Sequence, residues 1–186
     1  SMQLILVLNH LDLYIGTYKQ CQKKWQKMFK IIDNFINMGD LAVLKSVLES
    51  NSFPWYFQKT SVKGSSKELD CHFGHNFYLN DNVSSDHIKL LNPIIEKLKV
   101  NSLIRVKANL TIKSDKQLNT TPHLDQMFDC KVALYYLNTN NGPTTINNKK
   151  VDSVQNRIVI FNSDVKHYST TCTDKQTRIT LNFNYV

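Results

Sequence analysis

Apolar residues recur along this chain at two different periods, and the period changes near residue 100. Between Asp40 and Ser50, Leu41, Leu44 and Leu48 fall at helical spacing, with Asp40 placed to cap the N-terminus. Ser85 to Leu98 repeats that spacing through Ile88, Leu91 and Ile95, and Pro93 inside it kinks the helix or divides it, because proline removes a backbone donor. From Ser102 onward the pattern has period two and is rich in β-branched residues. It predicts strands over Leu103–Ile112, Lys131–Leu137, Arg157–Phe161 and Ile179–Tyr185, separated by turns such as Asn140-Asn141-Gly142-Pro143. Helices therefore come first and strands later.

Neither helix carries a chemical motif, so both are expected to cover a sheet. The strands point to an α+β, mainly β architecture: a double-stranded β-helix, a jelly roll of two facing sheets with the N-terminal helices packed on the larger one. Alternation in Val132-Ala133-Leu134-Tyr135-Tyr136 places Val132, Leu134 and Tyr136 on one face and Tyr135 on the other. The ends of such a sandwich leave a mouth open to solvent.

Length and composition change this picture little. A chain of 186 residues with 41% hydrophobic content is long enough for a sizeable core, with no disordered or collagen-like bias. Cys21, Cys71, Cys130 and Cys172 lie far apart with no C-x-x-C pair, which argues against a zinc ribbon or a disulfide scaffold and fits a reducing cytoplasm. The formal charge of +8 would suit nucleic acid, but the lysines are dispersed, as at Lys23, Lys24, Lys89, Lys97 and Lys149. Leu4 to Leu8 is too short to span a bilayer and lacks the flanks of a signal peptide, so no membrane partner is expected.

The chemistry is carried by His123-Leu124-Asp125, by His167 after the apolar run Ile158 to Phe161, and by Arg178-Ile179-Thr180 in the last strand. Two imidazoles and one carboxylate from separate segments occupy one face of an octahedron around a non-haem iron and leave the remaining positions open. Residues two apart in an extended segment share a face, so His123 and Asp125 can meet one ion, and Arg178 and Thr180 can seat one carboxylate. Each part alone has a bland reading: His167 a surface histidine, Arg178 a solvated strand residue, Asp125 a turn residue. Their order along a β-rich sequence favours the chemical one.

On these residues the chain resembles the Fe(II)- and 2-oxoglutarate-dependent dioxygenases, in particular the prolyl-hydroxylase-like branch and the small versions carried by marine bacteriophages. The matching stretches are Arg105 to Leu110, His123-Leu124-Asp125, Tyr135 to Asn138, Phe161 to Asp164 before His167, and Arg178 before Asn182-Phe183-Asn184-Tyr185; the resemblance runs from about Met28 to the C-terminus. It implies that His123, Asp125 and His167 bind Fe(II), and that Arg178 pairs with the far carboxylate of 2-oxoglutarate with help from Thr180. Tyr136 stands where related hydroxylases place a tyrosine for that carboxylate, and Asn109 is a further candidate of the same kind. It also implies O2 as the oxidant, and a hydroxylase rather than a halogenase, because Asp125 is kept.

The interval from the H-x-D triplet to His167 is short for a prolyl hydroxylase, which leaves the substrate open among small molecules and peptides, a peptidyl proline included. By the same likeness residues 1–27 are an extension that can be deleted, and residues 28–186 are one domain, with helical support over 28–100 and the β-helix over 101–186. In a phage-encoded protein the compartment would be the host cytoplasm. Two upstream segments, Phe53 to Phe57 and His72 to Tyr78, could wall the substrate. The plainer expectation puts Trp55 and Phe57 in the core and His72 and His75 in a loop. The loop Asp115 to Pro122 is the better candidate for substrate contact. A non-catalytic phage jelly roll and a cupin-like metalloenzyme without 2-oxoglutarate remain as alternatives, and neither has a use for Arg178.

Overall fold

The computed structural model describes residues 29–60 and 71–186; the expectations for residues 1–27 lie outside that range. Ile31–Val186 form one compact unit, and of Ser1–Lys30 only Phe29 and Lys30 are described, as the start of a strand. The strands are β1 (Phe29–Ile32), β2 (Tyr56–Gln58), β3 (His72–Leu79), β4 (Asn82–Val83), β5 (Leu103–Ile112), β6 (Lys131–Tyr136), β7 (Asn140–Ile146), β8 (Lys149–Ser153), β9 (Arg157–Asn162), β10 (His167–Ser169) and β11 (Thr177–Tyr185). Among the described residues the helices are α1 (Met38–Leu48) and α2 (Asn92–Leu98), with a 3-10 turn at Asp86–Leu91.

The larger sheet runs β1-β9-β6-β11-β5-β3-β2, with β4 on β3, and the smaller runs β10-β7-β8. This is the expected double-stranded β-helix. Alternation divides the larger sheet into two chemically distinct faces. Val106 and Ala108, Ala133 and Tyr135, and Ile179, Leu181 and Phe183 join Leu41, Leu44 and Leu48 of α1 and Ile94 of α2 in the core. The alternate positions Arg105, Lys107, Asn109 and Thr111 of β5, Leu134 of β6, and Arg178, Thr180 and Asn182 of β11 line a cavity instead. The site therefore occupies the face of the sheet that the helices do not cover.

Several local expectations are corrected. Helix α1 begins earlier than Asp40: Asn37 is the N-cap and its side chain accepts from the Asp40 amide at 2.9 Å. Ser85 to Leu98 is divided near Pro93, as expected, but its first part is a 3-10 turn; Pro93 falls in the first turn of α2, where a missing amide costs no helical hydrogen bond. Asn140 to Pro143 is no turn. It opens β7, with a register irregularity between Asn140 and Thr144 that takes up the glycine and proline. The described residues of the segment 28–100 include the strands β1 to β4 besides helices, and His72 and His75 lie in one of them, β3, rather than in a loop. Trp55 packs against the core as expected, whereas Phe57 is exposed, edge-on to Phe73.

Asn156 ties the segment before α1 to the sheet. Its side-chain amide accepts from the Ile36 amide at 2.9 Å and donates to the Ile36 carbonyl at 2.7 Å, as another strand would. The Tyr135 hydroxyl donates to the same Asn156 oxygen at 3.0 Å. With φ 62, Asn156 holds a left-handed turn that asparagine tolerates better than most residues.

Candidate active site

His123 and His167 face each other through their backbones. Each amide donates to the other's carbonyl, at 3.0 and 3.1 Å, so the two rings stand side by side with centroids 4.6 Å apart. His167 enters from β10, whereas His123 makes only an isolated bridge to it, and no extended strand runs through His123-Leu124-Asp125. The face-sharing expected of a strand comes instead from this one bridge.

Ring tautomers follow from the neighbours. Nδ1 of His123 lies 3.0 Å from the Thr121 carbonyl, and Nδ1 of His167 lies 3.3 Å from the Val165 carbonyl. A carbonyl only accepts, so each Nδ1 carries a proton, and in the neutral ring each Nε2 keeps its lone pair. Both Nε2 atoms point to one atom, Oδ1 of Asp125, at 3.7 Å. The other carboxylate oxygen, Oδ2, accepts from the amides of Asn182 at 2.8 Å and Asn184 at 3.0 Å. One Asp125 oxygen is thus fixed by β11 and the other is aimed at the two lone pairs.

Burial alone would push the Asp125 carboxyl up; His167, Arg105 and the two asparagines outweigh it and hold it down to about 2. Burial also depresses His167, against the pull of Asp125, which favours the neutral imidazole a metal requires. The three donor atoms lie within 4.8 Å of one another, and no other His, Cys, Asp or Glu cluster of this kind occurs among the described residues. Two imidazoles and one ionised carboxylate, supported by hydrogen bonds to their remaining atoms, fit a divalent transition metal.

Arg178 is 3% exposed, and no carboxylate pairs with it among the described residues. Its Nε donates to the Gly142 carbonyl and its Nη2 to Thr144 Oγ1, both at 2.8 Å, and its guanidinium carbon lies 5.7 Å from the centre of the Tyr136 ring. Gly142 is needed there, since a Cβ would come within 2.6 Å of the Thr170 carbonyl. Burial depresses the guanidinium, and arginine stays charged all the same. A buried cation without a counter-ion, on the wall of a cavity, asks for an anion from outside.

The remaining expected residues have distinct places. Thr180 is buried on the same face as Arg178 and lines the cavity, as does Asn109 opposite it on β5. Tyr136 stands behind the guanidinium instead, and its hydroxyl donates to Thr144 Oγ1 at 2.8 Å. Of the loop from Asp115 to Pro122, Thr120 reaches the cavity.

Other cavity residues went unnoticed in the sequence. Thr144 accepts from both Tyr136 and Arg178, so its own proton is left to donate. Thr111 stands opposite Arg178 on β5, and its buried Oγ1 has no hydrogen-bond partner. Asn182 and Asn184 hold Asp125, and Arg105 reaches its Oδ1 at 3.1 Å. Counting by twos from Asn109 and from Arg178 would have found all but Thr144, which directly follows the segment read as a turn.

No protein-family model matches the chain, and no curated protein matches its sequence. Solved structures do match its fold. An oxidoreductase of the 2OG-Fe(II) oxygenase family from Burkholderia pseudomallei aligns at TM-score 0.62 and 12% identity, covering 84% of each chain. A prolyl hydroxylase from Trichoplax adhaerens, in complex with a peptide fragment of the hypoxia inducible factor oxygen degradation domain, aligns at TM-score 0.61 and 18% identity over 86% of this chain and 83% of that one. A non-heme alpha ketoglutarate dependent epimerase from nogalamycin biosynthesis aligns at TM-score 0.61 and 12% identity, over 92% and 83%. Neighbours of this chain's fold thus include 2-oxoglutarate-dependent oxygenases, prolyl hydroxylases among them. No helix among the described residues is long and apolar enough to cross a membrane.

Proposed function

We propose that this chain is an Fe(II)- and 2-oxoglutarate-dependent dioxygenase, a hydroxylase, with His123, Asp125 and His167 as iron ligands and Arg178 as the seat of the co-substrate's far carboxylate. The observation that carries the reading is the pairing, in one cavity of about 390 Å³, of a convergent three-donor cluster with a buried arginine that has no carboxylate of its own. A metal site without 2-oxoglutarate has no use for Arg178, and a purely structural jelly roll has no use for either feature. The fold neighbours, which include 2-oxoglutarate-dependent enzymes, support the same reading.

Bound iron and 2-oxoglutarate together supply an oxidant from O2, with release of succinate and carbon dioxide. The chain's own residues supply placement. Asn182 and Asn184 keep Asp125 Oδ2 occupied, so that Oδ1 faces the metal position. The Thr121 and Val165 carbonyls keep both Nε2 lone pairs directed inward. Gly142, Tyr136 and Thr144 hold the Arg178 fork in place, and the hydroxyls of Thr111, Thr144 and Thr180 stand ready to donate to the same carboxylate. Leu134 keeps part of the wall apolar, which strengthens the ion pair by excluding water.

Succinate release from 2-oxoglutarate is the test. The wild-type chain is expected to form succinate only with both Fe(II) and O2 present, and His167→Ala to form none. A folded wild-type protein that consumes no 2-oxoglutarate at any iron concentration would refute the assignment.

A further inference from the structure

The cavity wall is strongly basic. Arg105, Lys107 and Arg178 line it, and Asp125 is its one carboxylate among the described residues. A divalent metal would add two positive charges and 2-oxoglutarate two negative ones, so three cations against one carboxylate leave an excess of two positive charges in a confined space. Such an excess favours an anionic guest.

Lys107 is built to present its charge at one place. Its side chain runs from β5 across β3, where Gly74 makes room: a Cβ there would lie 2.7 Å from Lys107 Cε. The amine ends 2.9 Å from Nε2 of His72, near the start of β3. An ammonium donates and a neutral imidazole Nε2 accepts, so the pair holds one positive charge at a fixed position. Among the described residues no carboxylate pairs with Lys107. Burial, helped by repulsion from Arg105 and opposed by Asp125, brings Lys107 down to about 8, which leaves it protonated at neutral pH.

Register separates this charge from the co-substrate seat. Arg178 pairs with Thr111 on β5, and Phe73 pairs with Leu110, so His72 lies beside Thr111 on the far side of β5 from Arg178. Two strand spacings put the His72 end about 10 Å across the sheet from the Arg178 backbone. Arg178 and the Lys107–His72 pair thus approach the cavity from strands on opposite sides of β5.

We propose that the substrate oxidised in this cavity is itself an acid, whose carboxylate or phosphate is held by Lys107 beside His72. The inference rests on the dioxygenase reading and narrows its substrate class to oxyanion-bearing molecules.

The test uses the full chain loaded with Fe(II) and 2-oxoglutarate under argon, and measures binding of benzoate, phenyl phosphate and the neutral benzamide by calorimetry. At least one anion is expected to bind ten-fold or more tightly than benzamide; which one distinguishes a carboxylate from a phosphate ester. Lys107→Met should erase that preference and Lys107→Arg should keep it, with the 2-oxoglutarate requirement unchanged in both. Benzamide binding as well as both anions, no binding of any probe, a preference that survives Lys107→Met, or a variant whose only defect is a raised 2-oxoglutarate requirement would each overturn the proposal. The titration is repeated on metal-free protein. A wild-type protein that binds no 2-oxoglutarate even with Fe(II) counts against the dioxygenase reading, while the anion preference measured without metal still decides the role of Lys107.

Discussion

A carboxylate whose one oxygen is held by two amides has only the other to offer. That is the condition of Asp125, and the two histidines show the same economy of direction, each with Nδ1 on a backbone carbonyl and Nε2 turned inward. Arg178 is fixed as firmly but left without a counter-charge. Removing its guanidinium should therefore act mainly on the co-substrate. Arg178→Ala is expected to raise the 2-oxoglutarate requirement by about 2–4 kcal/mol, the cost of losing one partner of a buried charge pair. Metal affinity should stay near wild type. Titrating 2-oxoglutarate against succinate release checks this, and an unchanged requirement removes Arg178 from the role.

At the scale of elements, the site depends on strands that carry different chemistry on their two faces. β5 and β11 bury Val106, Ala108, Ile179, Leu181 and Phe183 toward the helices, and turn Arg105, Lys107, Asn109, Arg178, Thr180 and Asn182 into the cavity. The helix layer is fastened to this sheet partly through Asn156, whose amide completes both backbone hydrogen bonds of buried Ile36. Asn156→Ala strands these groups and the Tyr135 hydroxyl, and is expected to destabilise the fold by about 2–4 kcal/mol in chemical denaturation, with the convergent triad unaltered in the surviving folded protein. A change below about 0.5 kcal/mol would mean that water replaces the amide at no cost.

The strands richest in β-branched and aromatic residues were legible for the same reason, since alternation is visible wherever one face is apolar. β7 was hidden by Gly142 and Pro143, ordinarily turn residues, which are accommodated here by a register irregularity and a close approach to Thr170. β3 was hidden because His72 faces the cavity, Gly74 makes room for Lys107, and His75 interrupts the apolar positions between Phe73 and Phe77.

At the scale of the whole molecule, two sheets bring together residues far apart in the chain: His123 and Asp125 before β6, His167 on β10 and Arg178 on β11. Their order along the sequence pointed to one site, because residue type and strand alternation together leave few other arrangements. What the order could not reveal was the support, the reciprocal His123–His167 bridge and the Lys107–His72 contact between β5 and β3, since both depend on cross-strand register. One metal and one diacid are expected to occupy this cavity together. Anaerobic addition of Fe(II) and 2-oxoglutarate to the full chain, followed by visible absorption, tests it directly. The expected result is a charge-transfer band that needs both components and is absent from His123→Ala and His167→Ala; a folded wild-type protein showing no band at saturating concentrations of both would contradict it.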